Sequence, residues 1–187
     1  MPEGVTMITR DAFKNCKSLR KITLPSTVIW LAGFQGCSGL TEIKLNEGIK
    51  EIEKDAFCNC SSLTSISIPK SVKKIEEWAF FGCNGLTSIS IPESVEEIQE
   101  SAFNNCKSLK EFSIHTPTQI KLIGNFLHGC YSLEKLYIYS YREPEGEKLI
   151  FEDKVINNCT LYIPRNRMAY QYNYKPWTYF KEIIEME

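Results

Sequence analysis

A unit of about 23 residues recurs along this chain, and this repeat constrains the fold more than any other feature. The segment Ala79–Val95 (AFFGCNGLTSISIPESV) nearly copies Ala56–Val72 (AFCNCSSLTSISIPKSV). Six cysteines, each followed three positions later by a leucine, mark the repeat at spacings of 21, 23, 23, 23 and 24 residues. They are Cys16, Cys37, Cys60, Cys83, Cys106 and Cys130. Self-similarity at such a period predicts a stack of similar units, each packed on the next.

Each unit follows the template L-x-x-I-x-I-P-x-x-V-x-x-I-x-x-x-A-F-x-x-C, which is cleanest from Leu63 to Cys83. The alternation of isoleucine and serine from Ser65 to Ile68 predicts a short strand, and Pro69 ends it because proline cannot donate to a strand ladder. The later valine and isoleucine supply further core contacts, and the Ala-Phe pair forms a compact turn. Each unit is therefore predicted to be one coil of a solenoid.

Composition and charge limit the partners that such a chain can have. Of its 187 residues, 43% are apolar and 24% are charged, which is typical of a globular protein. Twenty-two basic residues against 23 acidic ones leave a net charge of -1, so no overall field favours nucleic acid or an anionic membrane. The apolar runs are far shorter than the roughly 20 residues of a membrane-spanning helix. We expect neither nucleic acid binding nor membrane insertion.

The repeat resembles the BspA-like class of leucine-rich repeats, with its phrase aF-x-x-C-x-x-L-x-x-i-x-iP-x-s-v, found in surface proteins of bacteria and some protists. The resemblance extends from Pro2 to about Ile138. It implies a leucine-rich-repeat solenoid, a right-handed superhelix whose L-x-x-I-x-I strands form a parallel β-sheet on the concave face, with short strands and turns on the convex face. Neighbouring strands would lie about 4.8 Å apart.

We assign residues 1–139 to the repeat coils and residues 140–187 to an irregular last coil and a small α/β C-terminal cap, within one domain. The first coil is incomplete, because Pro2–Val5 aligns with Pro92–Val95 and no strand precedes it. We therefore expect that a signal segment, further coils or both lie upstream. The alternative is that the open N-terminal end associates with a second copy of the chain.

The C-terminal segment is predicted to close the solenoid. Cys159–Pro164 restores a last strand after the charged stretch YREPEGEK, and Asn166–Glu187 is predicted to combine a short helical stretch with aromatic residues. The segment from Leu161 onward is similar to the tail that ends many such proteins of gut Bacteroides. We expect a cap over the last coil with buried side chains at Trp177, Phe180 and Ile183.

The eight cysteines are predicted to be structural. Six occupy the same position on successive coils, where Cβ atoms about 4.8 Å apart exceed the roughly 3.5 to 4.5 Å that a disulfide requires. A zinc site needs four convergent ligands, and Cys58 with Cys60 offers only two. Cys58 is predicted to face partly outward, either as an ordinary surface cysteine or as the most reactive thiol of the chain, whereas Cys159 lies off the repeat. The redox states of Cys58 and Cys159 stay open.

Residue patterns typical of catalytic sites are missing from the sequence. Its two histidines, His115 and His128, lie in separate coils, and His128 occupies a variable turn position. The sequence contains no G-x-x-x-x-G-K-[ST], H-E-x-x-H or G-x-S-x-G motif. We therefore predict a protein that is not an enzyme and that needs no cofactor or metal.

The remaining functional candidate is the outward side of the predicted sheet. Its middle is small and hydroxylated, and its C-terminal end carries tyrosines, with Tyr137 and Tyr162 predicted to be neighbours and Tyr139 and Tyr141 close by. Exposed tyrosines are enriched at binding hot spots. The candidate binding residues are Ser65, Ser67, Ser88, Ser90, Glu111, Ser113, Lys135, Tyr137 and Tyr162.

Three functions fit these features. The first is a non-enzymatic binding module at the cell surface or secreted, which the family resemblance implies, acting in protein–protein interaction or adhesion through the concave sheet. Its partner would be a protein, such as an extracellular-matrix ligand. The second is a structural spacer without its own ligand. The third is an accessory protein that captures glycans through the C-terminal tyrosines.

Overall fold

The computed structural model describes residues 1–140, 142, 144–145, 151–165 and 177–187. Its coils stack so that equivalent residues of successive coils pair in parallel, which confirms the predicted leucine-rich-repeat solenoid. In most coils the chain passes through two kinds of strand, one at each side of the core. All pairings between the described strands are parallel.

One side of the solenoid is a six-stranded sheet of two-residue strands. In each strand the first side chain points outward and the second is buried, as the V-x-x-I part of the repeat predicts. The strands are β1 (Met7–Ile8), β3 (Trp30–Leu31), β5 (Glu51–Ile52), β6 (Lys74–Ile75), β8 (Glu97–Ile98) and β10 (Lys121–Leu122).

The L-x-x-I-x-I strands form the other side in two separate sheets. A two-stranded sheet pairs β2 (Lys21–Thr23) with β4 (Glu42–Lys44). A five-stranded sheet follows, and its strands in spatial order are β7 (Ser88–Ile91), β9 (Glu111–Ile114), β11 (Lys135–Ile138), β12 (Thr160–Pro164) and β13 (Glu182–Met186). Their inward residues reach the core and their outward residues form a common surface.

The predicted strand at Ser65–Ile68 is the main error of the sequence interpretation. Thr64–Ile68 lies between the two sheets and forms no ladder with either, although Ile66 and Ile68 still point into the core. The six-stranded sheet runs unbroken through the same coil, since Glu51 pairs with Lys74 and Lys74 with Glu97. The interruption is therefore confined to the side of the solenoid that carries the L-x-x-I-x-I strands.

Two ladders of identical side chains fill the core between the sheets. The rings of Phe13, Phe34, Phe57, Phe80 and Phe103 stack with centroids 5.0 to 5.7 Å apart. Each ladder cysteine from the second coil onward donates its thiol to the carbonyl oxygen of a phenylalanine in the preceding coil, as in Cys83 to Phe57 (3.2 Å) and Cys106 to Phe80 (3.3 Å). All eight cysteines are free thiols. The thiols thus satisfy carbonyl groups that the core would otherwise bury unpaired.

The residue before each ladder cysteine alternates strictly between asparagine and glycine: Asn15, Gly36, Asn59, Gly82, Asn105 and Gly129. All six have a positive φ, between 58° and 77°, which these two residue types tolerate best. The alternation has a second cause. A Cβ at Gly82 would collide with the Asn59 side chain, and one at Gly129 would lie 2.6 Å from Asn105 Oδ1. Each asparagine therefore requires a glycine in the next coil.

The cap differs from the prediction in its elements but not in its main core residues. The described helix, α1 (Asp153–Asn158), precedes the last predicted strand instead of following it. A 3-10 turn at Trp177–Tyr179 leads into strand β13, which the sequence did not predict as a strand. The predicted helical stretch also includes residues 166–176, which lie outside the described part of the chain.

Cap packing centres on aromatic residues. Trp177 and Phe180 are buried as predicted, and both pack against Phe151 with ring centroids 5.1 and 5.0 Å away. Ile183 was predicted to be buried but is only partly so, because it lies on β13 at the end of the sheet.

The Glu152 carboxylate joins the cap to the sixth coil. It accepts hydrogen bonds from the Gly129 amide (2.8 Å) and the Tyr131 hydroxyl (2.9 Å), and it lies 3.3 Å from His128 Nδ1. The hydrogen bond to this carboxylate raises the pKa of Tyr131. His128, which the sequence places in a variable turn position, therefore contacts the cap.

Candidate binding face

The nine candidate residues predicted from the sequence lie on one side of the solenoid, which is called the candidate face, and most of them are outward residues of the L-x-x-I-x-I strands. Strand register determines which of them are neighbours. One column pairs Ser88 with Glu111 and Glu111 with Lys135. The next column joins Ser90, Ser113, Tyr137 and Tyr162 in that order. Seven of the nine predicted residues thus lie on one continuous sheet.

Ser65 and Ser67 are exposed on the same side but lie outside the sheets, contrary to their predicted place in these columns. A groove of about 440 Å³ separates them from β7, and it is lined by Ser65, Ile66, Ser67, Ile68, Ser88, Ile89 and Ser90, with Glu47, Lys70 and Pro92 at its ends. The interruption of the sheet therefore divides the candidate face, and the sequence had indicated a continuous row.

Two ion pairs on this side join neighbouring strands. Lys135 Nζ lies 3.1 Å from Glu111 Oε1, and Lys21 Nζ lies 2.7 Å from Glu42 Oε2. The hydrogen bond and charge of Glu111 raise the pKa of Lys135, so this lysine stays protonated at neutral pH. Both pairs are exposed and contribute little to stability. They leave the middle of the face without a strong field.

Four aromatic rings gather at the C-terminal half of the face. The rings of Tyr137 and Tyr162 stack at a centroid distance of 4.4 Å, which confirms their predicted adjacency. Tyr139 stacks against His115 at 4.3 Å, and the rings of Tyr137 and Tyr139 are nearly parallel with centroids 6.1 Å apart. Tyr141, also predicted nearby, lies outside the described residues. Each of the four rings therefore packs against at least one of the others.

His115 is the residue of this group that sequence reasoning missed. It occupies the proline position of its repeat, in the coil that carries one extra residue, and this substitution was the only available signal. Its Nε2 lies 3.0 Å from Ser113 Oγ, and burial lowers the pKa of the imidazole. At neutral pH the ring is therefore uncharged and can both donate and accept a hydrogen bond.

The Ser113–His115 distance is also that of a serine nucleophile and its base. A base of this kind is normally oriented by a third polar group, whereas the imidazole here stacks against Tyr139. Within the described ranges, no carboxylate is found hydrogen bonded to this histidine. The arrangement is suited to holding a polar ligand and lacks the third member of a triad.

Cys58, predicted to be the most reactive thiol, is buried, and this prediction is wrong. Burial raises its pKa, with a further contribution from the charge of Asp55. The exposed thiol is Cys16, in the first coil. Cys159 is also buried, and burial raises its pKa to about 12. In the part of the chain that the structure describes, no three histidine, cysteine or acidic side chains converge as metal ligands would.

A second exposed aromatic group lies away from the candidate face. Trp78 is 41% exposed and has a φ of 60°, an uncommon conformation for a bulky residue. Lys54 Nζ covers its ring at 4.7 Å and also pairs with Glu77 Oε2 at 2.6 Å. The ring is therefore already occupied by a cation from its own chain. None of the described helices has the length and apolar character needed to cross a membrane.

Comparisons with known proteins agree with the repeat and the solenoid fold. The family model described as the BspA type leucine rich repeat region matches residues 1–66 and 29–160, in six copies. No curated protein matches the chain significantly.

Three solved bacterial structures are similar to this chain. The T. pallidum leucine rich repeat protein is 31% identical, with 78% of this chain and 70% of that chain covered and a TM-score of 0.72. A leucine-rich repeat protein from Bacteroides ovatus is 29% identical over 86% of this chain and 47% of that one, with a TM-score of 0.66. The pneumococcal vaccine antigen PcpA shares the fold at 20% identity and a TM-score of 0.70, over 97% and 44% of the two chains.

Proposed function

Because the chain belongs to the BspA-type leucine-rich-repeat family, we propose that it is a non-enzymatic binding module that holds a protein ligand on the candidate face. The ligand class that fits best is an extended protein at the cell exterior, such as one of the extracellular matrix. The module acts at the cell surface or after secretion.

The observation that carries this proposal is the outward column Ser90–Ser113–Tyr137–Tyr162. It combines small hydroxylated positions, which allow close approach, with stacked tyrosines, which supply rigid contact area. Binding interfaces are enriched in tyrosine, and their hot spots cluster in well-packed regions. A paired sheet also holds these side chains in fixed positions, so little ordering entropy is lost on binding.

A binding screen tests the proposal. The chain is applied to a panel of immobilised extracellular-matrix proteins beside a variant that carries Ser67→Arg, Ser90→Arg and Tyr137→Ala. A matched control carries Ser18→Arg, Ser108→Arg and Tyr179→Ala, three exposed positions away from the candidate face. Circular dichroism establishes that all three proteins are folded.

The expected result is a matrix protein that binds the wild type and the control but not the face variant. If a bound protein is retained equally by all three, the candidate face is not the site. If the folded wild type captures none of the matrix proteins, the proposal fails, and a structural spacer becomes the better description of the chain.

A further inference from the structure

The aromatic stack on the candidate face ends abruptly at strand β9. Across the strands, Tyr137 lies between Tyr162 on β12, whose ring stacks on it at 4.4 Å, and Ser113 on β9, which carries no ring. Two residues further along the strands, the stack extends one strand further, because the His115 ring, which follows β9, covers Tyr139. The ring of Tyr137 therefore has a small serine on the side where a third ring would continue the stack.

A groove of about 380 Å³ lies beside the Tyr137 ring, on the side of Ser113. Ser113 forms its floor and the Tyr137 ring one wall, with Ser90 opposite on β7. Glu111 and His115 close the two ends. These two residues lie two positions before and after Ser113, so a strand rise of about 3.3 Å per residue separates their backbones by about 13 Å.

We propose that this groove binds one neutral hexopyranose unit of a glycan, with a face of the sugar against the Tyr137 ring. The inference rests on the proposed binding function of the candidate face and deepens it by naming a ligand chemistry. A protein ligand would then be recognised in part through an attached sugar.

The distribution of polar groups favours a sugar over an aromatic side chain. One end of the groove presents the Glu111 carboxylate, which pairs with Lys135 outside the groove lining at 3.1 Å, and the other presents His115, whose Nε2 lies 3.0 Å from the Ser113 hydroxyl. A pyranose carries hydroxyl groups around its whole rim and can satisfy both ends. A phenylalanine or tryptophan side chain would remove water from these groups without offering them new hydrogen bonds, which is costly.

The charges of the site favour a neutral sugar. Glu111 and Lys135 neutralise each other, and His115 is uncharged at neutral pH because burial lowers its pKa. An acidic sugar would lie beside the Glu111 carboxylate without an unpaired cation among the groove-lining residues to compensate it. The groove is therefore matched to uncharged hexoses and N-acetylhexosamines.

The experiment uses the methyl glycosides of glucose, galactose, mannose and N-acetylglucosamine as probes. Each is titrated into the ¹⁵N-labelled chain, at up to about 100 mM, a hundredfold above a dissociation constant of about 1 mM. We expect at least one glycoside to shift the amide signals of Ser113, His115 and Tyr137. Ser113→Phe, which continues the stack with a protein ring, should weaken that binding at least about tenfold, as should Tyr137→Ala.

Two variants separate this effect from misfolding. Tyr137→Phe keeps the ring face and should retain the glycoside, whereas Ser108→Phe adds the same ring at an exposed turn and should bind as the wild type does. Thermal unfolding establishes that every variant is folded.

Three outcomes overturn the inference. No glycoside shifts the three amides, or a glycoside binds and Ser113→Phe binds it equally well, or a tyrosine-containing or proline-rich peptide shifts them and the glycosides do not. If a matrix protein still binds through the face in the screen above while the glycosides fail, the sugar site falls and the proposed function stands. If sugars bind and no matrix protein does, the inference stands and the protein-ligand proposal falls.

Discussion

At the scale of single residues, the turn before each ladder cysteine shows how strongly one coil restricts the next. The positive φ at this position limits the choice to asparagine and glycine, and the collision between neighbouring coils makes the two alternate. The ladder cysteines are restricted in a similar way, because each thiol from the second coil onward donates a hydrogen bond to a phenylalanine carbonyl oxygen of the preceding coil. Cys58 lies outside this ladder yet is buried, so the position of a cysteine in the repeat did not predict its exposure.

Replacing Gly82 with asparagine tests the alternation. Gly82→Asn keeps a residue that tolerates the positive φ but places its side chain against Asn59, and overpacking of this kind costs about 1 to 3 kcal/mol. Adding Asn59→Gly should recover part of the loss, since it removes the colliding group, whereas the new asparagine still faces Asn105 in the next coil, where the alternation requires glycine. Urea denaturation of the two single variants and the double variant measures the coupling. Additive effects would contradict the proposed contact.

Thiol labelling tests the burial of the cysteines. In the native chain at pH 8, a maleimide should label Cys16 rapidly and the other seven cysteines only after unfolding. Mass spectrometry of the labelled peptides measures this directly. Rapid labelling of Cys58 would contradict its burial.

The same cysteines predict a pH dependence of stability. Burial raises the pKa of Cys58, Cys60 and Cys83 above the value of about 8.5 that they have in the unfolded chain. Above this pH the unfolded chain loses thiol protons that the folded chain retains, so the free energy of unfolding decreases. Denaturation midpoints at pH 7 and pH 10 measure this effect.

At the scale of elements, two identical heptapeptides have different structures. Leu63–Pro69 and Leu86–Pro92 both read LTSISIP, but only the second contains a strand, Ser88–Ile91. That strand pairs with Glu111–Ile114, whereas Thr64–Ile68 borders the groove between the two sheets. A strand is defined by hydrogen bonds to its neighbours, so its own side chains do not suffice to specify it.

Hydrogen exchange distinguishes the two heptapeptides. The amides of Ile66 and Ile68 should exchange at least about tenfold faster than those of Ile89 and Ile91, because ladder hydrogen bonds protect the second pair. The comparison is internally controlled, since the flanking residues within each heptapeptide are the same. Equal protection would indicate that the sheet continues through Thr64–Ile68.

At the scale of the whole molecule, stability comes from contacts between neighbouring coils. The phenylalanine stack runs through five coils, and its interior rings are fully buried, whereas Phe13 in the first coil is only partly buried. In such a nearly one-dimensional stack, the free energy of unfolding is close to a sum of coil and interface contributions. The same substitution should therefore cost different amounts along the chain.

Alanine substitutions along the stack test this expectation. Phe80→Ala should cost about 3 to 5 kcal/mol because it empties a buried position between two rings. Phe13→Ala should cost less, as should Phe81→Ala, whose side chain is half-buried in the variable position of the turn. Urea denaturation followed by circular dichroism measures all three. Equal losses at Phe80 and Phe81 would refute the register of the repeat.

The sequence by itself determined the solenoid, its period, the buried ladders and the columns of outward residues, because each of these follows from a local pattern repeated in register. Ser90, Ser113, Tyr137 and Tyr162 could be aligned as neighbours without a structure for this reason. The interruption of the sheet, the stacking of His115 on Tyr139 and the burial of Cys58 were decided only by the tertiary structure. Each of these three features depends on the distance between two neighbouring coils at one place. The repeat pattern describes what all coils share, so it does not specify that distance.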